Sequence, residues 1–129
     1  MPEHRETLSD RDFHALTEAR VREPDRLRTA LAQRQRRPLV GVDGRMLLLA
    51  ADHTSRGKLS IGSDPMAAAD RRSLLDRILT GLLDSRVDGV LGSADVLEEL
   101  ALLGALDGRL AVGTMNRGGI VGAHWELDD

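Results

Sequence analysis

Three short apolar runs, Met46 to Ala51, Val87 to Leu91 and Leu110 to Gly113, are separated by segments with apolar residues at helical spacing. This alternation constrains the fold more than any other feature of the chain. Strand, helix, strand, helix, strand in succession predicts a parallel sheet joined by right-handed crossovers. The first run does not alternate with polar residues, as expected of a strand buried on both faces. Leu74, Leu75, Ile78, Leu79, Leu82 and Leu83 form one stripe, with Arg71, Arg72, Asp76 and Arg77 opposite. A helix with one apolar face is expected there. Ser63-Asp64-Pro65 has the capping acid and first-turn proline of its start. Ser93 is placed to cap the next helix, which carries Val96, Leu97, Leu100, Leu103 and Leu106 and for which Gly108 is the stop signal.

The flanking segments add three expectations. Residues 1–37 read as a polar helical segment. Ser9 and Asp12 mark one helix start, and Pro24 the first turn of a second helix carrying Leu27, Ala30 and Leu31. Arg34, Arg36 and Arg37 fit the cation-favouring end of that helix better than an anion site. Asp43-Gly44 lies between apolar Leu39 to Val42 and the run to Ala51, a hairpin signal leading into the first strand. Residues 38–129 then read as the first part of a (β/α)8 TIM barrel, since strand spacing averages near the ~30 residues of one barrel unit. Three strands cannot close a barrel. A partial, truncated barrel that folds poorly alone and associates through its open sheet edges, or as a homo-oligomer, is therefore expected.

Composition narrows the function classes. The 129 residues carry a formal net charge of -3, which gives no general attraction for nucleic acid or anionic membrane. Phe13 and Trp125 are the only aromatics, too few for base stacking. There is no cysteine, so neither a disulfide nor a thiolate site is available, which fits a cytoplasmic location. Neither a signal-peptide pattern nor an apolar run of membrane-spanning length, ~20 residues, is present.

In parallel α/β folds the site lies at the carboxyl ends of the strands. The first end carries Asp52, His53, Thr54, Ser55 and Arg56, the second Gly92, Ser93 and Asp95, the third Thr114, Asn116, Arg117, Gly118 and Gly119. Asp52 and His53 are the catalytic candidates. An acid at a barrel mouth is placed to move protons, and an adjacent imidazole could serve as a base. Arg56 and Arg117 suit a carboxylate or phosphate, with the Gly118 and Gly119 amides as further donors and Asn116 beside them as a substrate-binding residue. His4, His14 and His124 have no ligand spacing relative to His53, so no metal and no other cofactor is expected. Lys58, the only lysine, lies in a loop with nothing to desolvate it and is a poor Schiff-base candidate.

The segments LLLAADHTSRG, DPMAAADRRSLLDRILTGL and the stretch from VDGVLGSADVL through GTMNRGG to the end resemble an actinobacterial (β/α)8 family. Its members are described as class I aldolase-like, or deoxyribose-phosphate-aldolase-like, and accompany inositol-catabolism genes. The resemblance covers residues 38–129. It implies a lyase acting through a Schiff base on a sugar or sugar phosphate, with Asp52 as the acid that assists proton transfer. The lysine of such enzymes, on a later strand, is not in this chain. The alternatives are a non-catalytic half-barrel that binds a small anion or a partner chain, and a metal-dependent lyase using Asp52, His53 and His124.

Overall fold

In the computed structural model, which describes residues 7–56 and 58–114, helix formation begins where the sequence placed it. Ser9 caps α1 (Asp10–Arg22), its side chain accepting the Asp12 amide. Pro24 opens α2 (Pro24–Gln33) at a position where its missing N–H costs nothing. Leu27 is fully buried. Arg34, just past α2, donates to the Leu31 carbonyl at 2.9 Å, the helix-end role expected of it.

The sheet follows: β1 (Leu48–Ala50), β2 (Gly89–Gly92) and β3 (Leu110–Gly113). A 3₁₀ turn (His53–Arg56) follows β1. Crossover helices α3 (Arg71–Leu82) and α4 (Ala94–Leu102) join the strands. All pairing is parallel, in the spatial order β1-β2-β3. The chain is thus an α/β protein with a small open three-stranded sheet.

Four expectations about these elements are corrected. The Asp43-Gly44 segment makes a turn, with Gly44 at φ 71° and its amide bonded to the Gly41 carbonyl at 3.0 Å, but no hairpin. Leu39, Val40 and Val42 are exposed rather than paired. Among the described residues β1 pairs only with β2, in parallel, and stands at the edge of the sheet. α3 starts at Asp70, whose carboxylate accepts the Ser73 amide at 3.0 Å. Asp64 spends its side chain on the Met66 amide in a local turn. α4 ends at Leu102, with Gly104 at φ 77° closing it before Gly108. Asp76, placed by pattern on the solvent face of α3, is 5% exposed. Its Oδ1 accepts the Leu8 amide at 2.6 Å and the Thr7 amide at 2.5 Å, so the segment before α1 lies across α3.

A fifth correction concerns the strands. Register places Leu49, Val90 and Ala111 side by side, and Ala50, Leu91 and Val112 side by side on the other face. The first row packs into the main core with Leu75, Ile78, Leu97 and Leu100 from α3 and α4. Gly81 admits α3 close to β1, since a Cβ there would sit 3.1 Å from Leu49. The second row takes no part in that core: Ala50 is exposed, and Leu48, Leu91 and Val112 are half-buried. β1 is therefore covered on one face, not two.

Charged groups tie the helices together outside this core. Arg20 of α1 reaches Glu98 at 2.8 Å and Glu99 at 3.2 Å on α4, and Arg71 of α3 pairs with Asp95 and Glu99. The amino edge of the sheet is also pinned. Arg37 binds Asp88 at 2.6 Å, while the other carboxylate oxygen of Asp88 accepts the Leu47 amide at 2.7 Å. The Arg37 guanidinium, followed by the Leu47 amide, holds the Asp88 carboxyl below the usual carboxylate range. Arg109 caps the Leu82 and Val87 carbonyls at 2.5 and 2.7 Å.

Candidate functional site at the carboxyl edge

The face of the sheet turned away from α3 and α4, called the inner face below, continues past its strands. Leu48, Gly89 and Leu110 form its lowest row, and Ala50, Leu91 and Val112 the next. One more step of the period-2 alternation reaches Asp52, Ser93 and Thr114. The backbone keeps the ladder going far enough to hold them there. The Ala51 amide bonds the Leu91 carbonyl at 2.7 Å, and the Thr114 amide bonds the Gly92 carbonyl at 3.0 Å. An acid and two hydroxyls therefore crown two rows of apolar or absent side chains.

The three polar residues are not equivalent. Asp52 is half-buried, and its Oδ2 accepts a hydrogen bond from Thr114 Oγ1 at 3.4 Å. Ser93 is exposed in the N-cap position of α4 and makes no side-chain capping bond. Burial pushes the Asp95 carboxyl upward, but Ser93 and Arg71 together outweigh this and leave it below the usual range. Asp95 is thus an ionised structural partner of Arg71 rather than a reactive acid.

His53 and Thr54 are half-buried in the 3₁₀ turn, and the His53 carbonyl accepts the Lys58 amide at 3.3 Å. The turn also includes the Arg56 backbone, but the Arg56 side chain lies outside the described residues. Asn116, Arg117, Gly118 and Gly119 lie outside them too. Lys58 is exposed. Among the described residues no group of three or more His, Asp or Glu side chains is placed to hold a metal.

Two surface depressions lie elsewhere. One of about 390 Å³ opens near Leu83, Asp107 and Arg109, and one of about 260 Å³ lies between Leu16, Arg26 and Leu102. The first is at the amino edge, where Arg109 spends donors on carbonyls, so its polar groups serve the fold. Chemistry, rather than concavity, singles out the carboxyl edge. In the sequence Thr114 stands only as a strand-end residue, and Ser93 as a strand-end residue and helix cap. Their grouping with Asp52 follows from register, which a period-2 count carried beyond each strand would have revealed.

Comparison with known proteins decides the family. A family model described as Cgl0159-like matches residues 44–129. This chain belongs to the Cgl0159-like family. A crystal structure of Cgl0159 from Corynebacterium glutamicum (Brevibacterium flavum) is 43% identical, with a TM-score of 0.83 over 92% of this chain. The chain spans 40% of the length of that protein. No curated protein matches. The resemblance to a class I aldolase-like family is corrected accordingly. The matching family is Cgl0159-like, and nothing in these matches points to an aldolase, a lyase or inositol catabolism. Among the described residues, no helix is long and apolar enough to cross a membrane.

Proposed function

We propose that this chain supplies the first three strand units of a (β/α)8 barrel and, at their carboxyl ends, one wall of a small-molecule site. The observation that carries the reading is the layering of the inner face. Asp52, Ser93 and Thr114 stand above Ala50, Leu91 and Val112, at the edge where barrel enzymes keep their chemistry. Sequential parallel order supports a barrel, as does the similarity to a protein of which this chain spans 40%. Further strand units would cover the half-exposed inner face and its open edges.

The chemistry of the wall favours a hydroxylated ligand of the sugar or sugar-phosphate class. A carboxylate accepts hydrogen bonds from ligand hydroxyls, Thr114 adds a donor and acceptor, and the apolar row below suits a carbon skeleton. Asp52 is the group positioned to bind a hydroxyl and exchange its proton, with His53 next to it. Arg56 and Arg117 are retained as phosphate partners, and the cytoplasm as the site of action on the cysteine-free composition.

Glycerol and glycerol 3-phosphate, the smallest polyol and its phosphate, test the reading. They are titrated while the amides of Asp52, Ser93 and Thr114 are followed by NMR. We expect these amides to move, and Asp52→Asn to weaken the response about tenfold or more, as for loss of a hydrogen bond to a charged group. Shifts confined to other surfaces, or an Asp52→Asn variant that responds like the parent, would overturn it.

A further inference from the structure

We infer that Thr114 is a positioning residue: its hydroxyl, delivered by β3, orients the Asp52 carboxylate, delivered by β1, across the intervening strand. The inference deepens the reading of Asp52 given above and rests on it. Its starting point is the contact from Thr114 Oγ1 to Asp52 Oδ2, between residues 62 positions apart.

Both ends of this contact hang from the same strand. Ala51, the neighbour of Asp52, donates to the Leu91 carbonyl, and Thr114 donates to the carbonyl of the next residue, Gly92. The side chains must then meet over β2, since strands two apart in a sheet are separated by roughly 10 Å. Whatever occupies the end of β2 must leave that space open. Ser93 occupies it, with a small side chain in the N-cap position of α4. Arg71 holds Asp95 in the helix layer beside it.

Threonine suits the position. Its branched Cβ restricts χ1, so the hydroxyl is presented with little rotational freedom. At 3.4 Å the bond is long, a bias on the carboxylate rather than a clamp. A hydroxyl here biases which way the carboxylate plane faces without neutralising it. Asp52 makes a further interaction as well, so Thr114 sets orientation rather than supplying the sole support.

The test needs no ligand. The side-chain carboxyl carbon of Asp52 is observed by NMR at neutral pH in the parent chain, Thr114→Val and Thr114→Ser. We expect a displaced Asp52 resonance in Thr114→Val, which keeps the shape and loses the hydroxyl, and a parent-like one in Thr114→Ser. An unmoved resonance in Thr114→Val overturns the inference. So does an equal displacement in both variants, which would make shape rather than the hydroxyl responsible. Should Thr114→Val fail to fold, Asp52→Asn gives the reciprocal measurement. The Thr114 Cβ resonance must then move, and an unchanged one overturns the proposal. If the resonances behave as expected but Asp52→Asn leaves the glycerol response intact, the pair exists and the functional reading fails. The opposite pattern removes Thr114 alone.

Discussion

The two faces of this sheet have nearly the same chemistry and very different surroundings. On the outer face Leu49, Val90 and Ala111 meet α3 and α4, and Val90 is fully buried. On the inner face Leu48, Ala50, Leu91 and Val112 are as apolar, yet they stand half-buried or exposed, and burial is confined to Gly89 and Leu110 at the amino end. Side-chain polarity therefore does not say which face is finished. What distinguishes them is the row above: Ala51, Gly92 and Gly113 extend the outer side, whereas Asp52, Ser93 and Thr114 extend the inner side. The polar crown belongs to the face that the helices leave open.

The largest expected effect tests this difference directly. Leu100, fully buried in α4, and Leu91, half-buried on the inner face, lose the same atoms on replacement by alanine. Leu100→Ala should destabilise the chain by about 2–5 kcal/mol in denaturant unfolding, the usual range for a core leucine. Leu91→Ala should cost well under half of that, because its methyls already meet solvent. Equal losses would mean that the inner face is packed as tightly as the outer.

Gly89 marks the one inner-face position that should resist enlargement. A Cβ there would lie 2.2 Å from the Leu110 carbonyl oxygen, so β2 and β3 would have to separate. Gly89→Ala should cost about 1–3 kcal/mol, measured in the same way, because backbone cannot give as a side chain can. In the outer layer, Asp76→Ala strips the Thr7 and Leu8 amides of their acceptor. We expect a loss of about 1–3 kcal/mol, with faster hydrogen exchange at those two amides. Exchange unchanged at Leu8 would show that another group takes over.

The smallest effect concerns the pinned amino edge. Because Asp88 has a folded value below its ordinary 3.8, its ionised form adds stability that is fully present above that value. The contribution disappears as pH falls from about 3.8 through the lower folded value. Unfolding of the parent and Asp88→Asn should therefore converge toward acid pH and differ near neutrality. Parallel pH profiles would assign the acid sensitivity to other carboxylates.

Local signals predicted local structure well. β3 occupies the run from Leu110 to Gly113, and Ser9, Pro24 and Ser93 stand where helices begin. The same kind of signal failed where two sites competed for one role. Asp64 and Asp70 are both competent caps, and Asp70 adjoins the segment that packs on the core. Asp43-Gly44 turns the chain, but a turn cannot choose a ladder partner, and β1 found β2. Asp76 illustrates the same limit. No pattern within α3 reveals that residues 7 and 8 will cross it and supply two amides. At the candidate site, Asp52 was legible as a strand-end acid. Its proximity to Thr114 depends on inter-strand register, and register is a property of pairs.

The order β1-β2-β3 also has a kinetic consequence. Leu48 finds Gly89 across the α3 crossover, but Gly89 finds Leu110 across a connection about half as long, and closing the longer loop costs roughly 0.6 kcal/mol more per doubling. The pair β2–β3, with α4 laid over it, is thus the cheaper nucleus, even though β1 is synthesised before it. Pulse-labelled hydrogen exchange should find the Val112 amide protected before that of Ala51. On that order, the ribosome releases the first strand well before its docking surface exists, and Asp52 reaches Thr114 only as the final strand pair zips shut.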